Sequence, residues 1–592
     1  MSARVRQILL ALLLASGVRL WVWLFTWQQM HQIPWWLVAV AGVAALAAPL
    51  RSFFERSAHR ADGWLRKGWA LPILAGIVAA YLSLELWRWH SQLFLKLHDE
   101  QVYMIQARML LRRKLWMSAY PRDVRPFFDS IYLISDRVYA SMYFPGTALA
   151  LAAVIGAGMP YWIMTLAAAI LAVVFFYLIS AELFGAVRAV VALLMLLSVG
   201  GIYTAAMTLI SVAPFLAAIF AMIWGWMRFR ASPRSGWTIL IGATAAFAAI
   251  IRPLDALCFA LPVGVAMVAE LWRKRAVLAR TMAIVVAAAS PFLALQLMQN
   301  IGVTGSWRQS AESYYFAKNY PAPVIGFYQV NEGAFLQNQP PWKPSFLNWI
   351  LFYYRQHHWR TIDQWGPLRM QQLLLTALAV PAVAIFVPLG ALTLGEARRA
   401  VIATALGLFV IAYMFNVFNL NHYMIPAIAP VIWLVFMGWD ALDSGWPRWR
   451  AAIGTFLLII LLGTSAMGIA AINRPGAMDS NSFQEEKAID QRLASLPRAL
   501  ALVIFRAAPA QWPHEDPVYN SGAAWPDDAL TIRARDLNGH NEPLYRYYAA
   551  EQPDRVVYLY DRAKESAGQD PLQRLGTVEE LSQMKRPAPK SE

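Results

Sequence analysis

The chain has a single cysteine, Cys258, lying in an apolar segment, so no intrachain disulfide can form and no disulfide framework supports it. Acidic residues are also few. The 35 Asp and Glu stand against 51 Lys and Arg, and charged residues make up 15% of a chain that is 59% hydrophobic. So little charge over 592 residues excludes an ordinary soluble protein and leaves a polytopic membrane protein. Short catalytic signatures are missing too. The absence of GxxxxGK[ST], HExxH, CxxC and GxSxG removes the usual signals for P-loop hydrolysis, zinc peptidases, dithiol redox and serine hydrolases. No repeat of fixed period is present. His357 and His358 are adjacent rather than i,i+4, which suits a solvated loop pair better than zinc. Asp123, Asp129 and Asp136 lack cation-loop spacing and read as solvated. No cofactor is expected, with a divalent metal left open.

What is present is a series of apolar stretches. They fall at 8–27, 35–50, 70–89, 160–182, 188–206, 208–227, 237–251, 254–271, 281–299, 371–394, 400–416, 423–441 and 451–472. Each approaches the ~20 residues a bilayer requires, giving a polytopic α-helical fold of about 13 transmembrane helices. The stretch 8–27 is too long for a signal h-region and reads as a retained anchor. A net charge of +16 could suit nucleic acid. Here, however, the basic residues sit in short loops between spans: Arg51 to Lys67, Arg228 to Arg234, Arg273 to Arg280, Arg398 with Arg399, and Arg448 with Arg450. The positive-inside rule accounts for them and places those loops in the cytoplasm, so no nucleic-acid partner is expected. Parity works if the short run from Tyr143-Phe144-Pro145-Gly146 to Gly158 is re-entrant or interfacial. Three polar stretches then lie outside: 90–142, 300–370 and 473–592. The expected localisation is a bacterial inner membrane, with the N-terminus cytoplasmic.

Candidate chemistry collects at the outer ends of spans. Asp99 and Glu100 open a helix in which Val102, Ile105 and Met109 recur on one face and Gln101, Arg108 and Arg112 on another. Such a helix is expected to lie flat in the interface, arginines toward lipid phosphates. Asp99 is equally an ordinary N-cap. Arg252-Pro253-Leu254-Asp255 places two charges at a hairpin, where they must pair or face a cavity. Asn421-His422-Tyr423 begins a later span. Tyr314, Tyr315, Phe316, Tyr320, Trp342, Trp349, Tyr353 and Tyr354 in 300–370 read first as an interfacial aromatic belt and second as a sugar or lipid platform. After 472 the pattern becomes that of a small α/β domain. Helices are expected over 483–496 and 542–550, with strands over 499–505 and 555–560.

Taken in order, Asp99-Glu100 with its helix, Tyr143-Phe144-Pro145-Gly146, Arg252-Pro253-Leu254-Asp255-Ala256, Thr304-Gly305-Ser306 and Asn421-His422-Tyr423 resemble the motifs of GT-C membrane glycosyltransferases. The resemblance is closest to the family 39 group, which includes protein O-mannosyltransferases and the lipid A aminoarabinose transferase, and covers about residues 90–440. It implies an inverting transfer of a sugar from a polyprenyl-phosphate donor, with Asp99 as base. Two departures are visible. Where some members carry a second acid, this chain reads Ala206-Met207-Thr208-Leu209-Ile210-Ser211. Where the aminoarabinose transferase has a lysine, it reads Met142-Tyr143-Phe144.

The chemistry fits the compartment. A departing lipid phosphate needs cationic partners, for which Arg108, Arg112, Arg137, Arg252 and His422 are the candidates. The acceptor hydroxyl needs a base, Asp99, while Glu100 either orients the acceptor or caps the helix. Tyr103, Tyr143, Pro145, Asp255, Asn421 and Tyr423 are expected around the substrate pocket. The organisation expected is 1–90 transmembrane helices, 91–160 a first outer loop with amphipathic and re-entrant helices, 161–472 a GT-C core, and 473–592 a periplasmic α/β domain. The expected partners are a polyprenyl-phosphate-linked sugar, membrane lipid, and an acceptor protein, glycan or lipid. The competing readings are a transporter or flippase of lipid-linked saccharides and a non-catalytic scaffold. Topology is directly testable: a reporter fused near residue 232 is expected to report cytoplasm, and a periplasmic signal there would overturn the assignment.

Overall fold

The computed structural model describes residues 3–25, 33–337, 339, 344–474, 484–497, 499–507 and 517–583. Among them, eight helices are long and apolar enough to cross a membrane, and three bent pairs raise that number to eleven. The remaining two expected stretches are helical but shorter, Gln7–Arg19 and Ser235–Ala249. The bends have local causes. Trp35–Leu46 turns by 90° into Ala48–Leu65, which carries Arg51, Arg56 and Arg60 and buries no residue. Charge therefore ends that span earlier than expected. Trp359–Ala377 turns by 107° into Pro381–Thr393. Pro381 and Pro388 remove backbone donors there, and the chain continues in 3₁₀ turns instead of one straight helix over 371–394.

The charged groups divide between the two ends of the bundle. At one end Arg228 pairs with Glu182 (3.2 Å), Arg230 with Glu270 (2.6 Å), Arg188 with Asp443 (2.5 Å) and Arg399 with Asp440 (2.5 Å). Following the same helices to their other ends leads to Ser211, Arg252, Tyr413 and His422. The short helix Gly146–Gly156 stays at this second end. Its first N–H bonds to the Ile250 carbonyl (2.8 Å), and the next helix begins beside Leu209, where Thr165 donates to the Ala206 carbonyl (2.8 Å). It therefore returns rather than crosses.

The helix His98–Leu111 does not lie on a lipid surface. Val102, Ile105 and Met109 pack with Ile131, Leu133, Tyr139 and Tyr315, while Tyr103, Met104 and Ala107 pack on Gly146–Gly156. Protein encloses it because the C-terminal domain covers its arginine side. That domain has a four-stranded sheet with spatial order Thr531–Arg535, Ala501–Arg506, Val556–Asp561, Leu572–Thr577, the last strand antiparallel. Its central strand is apolar on both faces, as a covered parallel strand must be. Val503 and Phe505 meet Ile489 and Leu493 of the helix Gln484–Ala494. Leu502 and Ile504 share a core with Tyr120, Val124, Phe127 and Phe128 of the segment that follows His98–Leu111. The domain is thus built jointly with residues some 400 positions upstream. The outer-loop aromatics behave likewise. Tyr315, Tyr320 and Tyr354 are buried in the loops' own core, and Trp349 and Phe316 line a cavity, instead of forming a belt against lipid. Trp342 lies outside the described residues.

Tyr120 is the clasp of this shared core. Its ring stacks between Phe128 (4.4 Å) and Trp525 (4.2 Å), and its hydroxyl donates to Asp527 (2.6 Å). Tyr120→Ala is expected to cost about 3–5 kcal/mol, as for other buried aromatic truncations. It should lower the melting temperature of the purified protein in detergent, and an unchanged melting curve would refute the joint core.

Candidate active site

Several segments converge at the second end of the bundle around a cavity of about 1310 Å³. Asp99 comes from the first turn of His98–Leu111, and Tyr143 from the chain after the strand Val138–Ser141. Ser211 comes from the start of Val212–Ala231, and Arg252 and Asp255 from the turn into Pro253–Leu271. Tyr413 ends Ala397–Phe415, and Asn421, His422 and Tyr423 form the 3₁₀ turn Asn421–Ala427.

Tyr143 positions Asp99. The backbone of Tyr143 is held from three directions: its N–H donates to Ser141 Oγ (2.9 Å), and its carbonyl accepts from Gln106 (3.0 Å) and Gln299 (2.9 Å). Its ring stacks on Tyr103 at 4.6 Å, and its hydroxyl donates to Asp99 Oδ1 at 2.6 Å. Burial, reinforced by the Asp99 charge, raises the Tyr143 pKa, so the phenol remains a donor.

Arg252 is held by a second network. Its guanidinium pairs with Asp255 and donates to Ser211 Oγ (3.1 Å) and Tyr413 Oη (3.1 Å), while Tyr413 donates to Asp255 Oδ1 (2.8 Å). Its guanidinium also lies 5.4 Å from the Tyr423 ring. The pair expected from the sequence is therefore formed, and Arg252 still faces the cavity. Gly146 joins the two networks. A Cβ there would lie 2.5 Å from Ile251 Cγ1 and 2.7 Å from the Ile250 carbonyl, so only glycine lets the Tyr143 segment close on the Arg252 turn.

Of the candidates from sequence, Asp99, Tyr103, Tyr143, Arg252, Asp255, Asn421, His422 and Tyr423 share this cavity. The others do not line it. Glu100 accepts backbone N–H bonds from Lys96 (2.7 Å), Leu97 (2.9 Å) and Leu209 (2.8 Å). It fastens the Asp99 helix to the segment before Ser211 and is not placed to orient an acceptor. Burial raises its pKa against those three donors. Arg108 donates to the Ser521 carbonyl (2.7 Å), and Arg112 pairs with Asp528 (2.5 Å). Both serve the C-terminal domain rather than a phosphate. Arg137 donates to the Thr304 carbonyl at the end of Arg275–Thr304, where Gly305 takes φ +79°. It is a helix C-cap, which favours a cation for the same electrostatic reason a phosphate would. Pro145 precedes Gly146–Gly156 and stands off the cavity wall. His357 is buried and its Nδ1 accepts from Arg369 (3.1 Å), so it is not solvated. Asp136 accepts from Tyr314 (2.6 Å) and pairs with Lys318 (3.1 Å). No group of three metal-ligating side chains occurs among the described residues.

The sequence reading missed Ser211, Tyr132, Tyr413 and, above all, Glu312 on the helix Ala311–Asn319. Glu312 follows the N-cap Ser310, where an acid is ordinary, so nothing local marked it.

No protein-family model matches the chain, and no curated protein matches it. Among solved structures it is similar to ArnT from Cupriavidus metallidurans bound to undecaprenyl phosphate. That similarity has a TM-score of 0.47 and 12% identity, over 87% of this chain and 98% of that one. The same protein in the apo state gives 0.45 and 12%, over 87% and 100%. The Archaeoglobus fulgidus oligosaccharyltransferase tethered with an acceptor peptide gives 0.41 and 11%, over 84% and 69%.

The Arg252–Asp255 pair should behave as a unit. Arg252→Met leaves Asp255, 1% exposed, without its counter-charge and is expected to cost about 3–5 kcal/mol. Adding Asp255→Leu should recover most of that loss. Equal melting temperatures for the single and double variants would rule out the pairing.

Proposed function

We propose that this protein is an inverting glycosyltransferase. It moves a sugar from a polyprenyl-phosphate donor to an acceptor on the periplasmic face of a bacterial inner membrane, with its N-terminus in the cytoplasm. The observation that carries this reading is one cavity lined by an oriented carboxylate, Asp99, a cation, Arg252, and a histidine, His422, at the end of the bundle opposite the arginine-rich loops. The rest of its wall includes Leu254, Phe316, Ile325, Trp349 and Phe418, which suit an isoprenoid chain and the face of a sugar ring.

In this reading Asp99 takes the proton of the acceptor hydroxyl as its oxygen attacks the anomeric carbon. The bond from that carbon to the phosphate oxygen breaks, and its electron pair leaves with the lipid phosphate. Arg252 and His422 stabilise the charge gathering there. Tyr143 keeps Asp99 aimed by donating to one of its carboxyl oxygens. One displacement with one base inverts the centre and forms no covalent intermediate. The C-terminal domain is one wall of the outer assembly, which suits a role in admitting the acceptor.

Asp99→Asn keeps the hydrogen bond from Tyr143 and removes the base. Turnover is expected to fall roughly 10²–10⁴-fold while donor-lipid binding persists. Near-normal release of sugar from a polyprenyl phosphate donor by this variant would remove Asp99 from the mechanism.

A further inference from the structure

The cavity is short of positive charge. Among the described residues that line it, Arg252 is the one arginine or lysine and His422 the one histidine, against three carboxyls, Asp99, Asp255 and Glu312. Two of the three are engaged. Asp255 is bound to Arg252 and Tyr413, and Asp99 holds the Tyr143 hydroxyl. Glu312 has no hydrogen-bond or ion-pair partner among the described residues. Its carboxyl faces the cavity from the first turn of Ala311–Asn319, within the field of Arg252.

An anion settling beside Arg252 therefore meets a carboxylate that nothing else neutralises. Two negative groups beside one cation repel each other, and the cheaper adjustment is protonation of the weaker acid. We infer that the phosphate of the isoprenoid donor binds beside Arg252 together with one proton, taken up by Glu312. The neutral carboxyl then donates a hydrogen bond where the carboxylate would repel. This inference rests on the donor reading above.

The titratable groups that share the cavity with Glu312 set the sign, with Arg252, Tyr103 and Tyr423 within its field. Arg252 and Asp255 come from the hairpin turn and Asp99 with Tyr103 from the His98–Leu111 helix. Tyr413, His422 and Tyr423 come from the two late segments. Burial pushes the Glu312 pKa up to about 7, with Arg252 pulling the other way. The group is thus mostly neutral below that pH and mostly charged above it, and a bound anion moves it further upward. Phosphate binding should weaken as pH rises through this range. The lipid phosphate itself titrates in the same range, so the informative quantity is a ratio between two proteins given the same donor.

The experiment titrates full-length wild type and Glu312→Gln with undecaprenyl phosphate in detergent micelles from pH 6 to 8. The two dissociation constants should converge at pH 6, and wild type should bind roughly tenfold more weakly than Glu312→Gln at pH 8, one unit above the Glu312 midpoint. A second measurement needs no variant: calorimetry of wild type at pH 7.5 in buffers of different ionisation enthalpy should show net proton uptake on binding. Parallel pH curves for the two proteins, or release of protons by wild type, would overturn the role of Glu312 while leaving donor binding intact. No binding by either protein at any pH would overturn the donor reading and this inference with it.

Discussion

A guanidinium buried at the edge of an apolar bundle must find an opposite charge within reach, and much of this structure follows from how Arg252 does so. Asp255, one helical turn onward, supplies the charge, and Ser211 and Tyr413 supply hydrogen bonds. Asp255 lies on the helix that Arg252 caps, and the other two partners come from two further helix ends. Satisfying one cation therefore fixes the relative positions of three segments. Gly146 then lets a fourth approach within backbone contact, bringing Tyr143 and with it Asp99. The cavity side chains are oriented by the same network that keeps a charge from being stranded.

A second constraint acts on the layer over that end of the bundle. The segment between His98–Leu111 and Val138–Ser141 shares one core with the C-terminal domain. Tyr120, Phe127 and Phe128 complete the inner face of a sheet whose other residues lie beyond position 500. This covering explains why Arg108 and Arg112, charged and well placed by sequence, are unavailable to a lipid phosphate. It also explains why the Asp99 helix is enclosed by protein. With those arginines and Arg137 engaged elsewhere, Arg252 and His422 are the basic side chains among the described residues that line the cavity, which is what makes Glu312 consequential.

The bundle itself was readable in one dimension. Among the described residues every apolar stretch is helical, the basic loops gather at one end, and the short run after Gly146 returns, because length, hydropathy and loop charge are local quantities. The bends were not readable. Trp35–Leu46 stops before Arg51, and Pro381 and Pro388 break a run whose hydropathy is continuous. In the C-terminal domain the expected helices and two strands are present. The strands Thr531–Arg535 and Leu572–Thr577 were missed because edge strands, half exposed, lack an unbroken apolar run.

By itself the sequence determined that this is a helical membrane protein, that its ionisable residues gather at span ends, and which motifs resemble lipid-linked sugar transfer. Asp99, Arg252 and His422 were legible because a charge beside an apolar span is costly and so carries information wherever it occurs. Only the tertiary structure decided which charges meet. It gave Glu100 to backbone amides, Arg137 to a helix end and Arg112 to a domain interface, and it brought Glu312 to the cavity from a loop more than 200 residues away. The physical reason is that composition fixes whether a charge must be satisfied, while packing fixes what satisfies it.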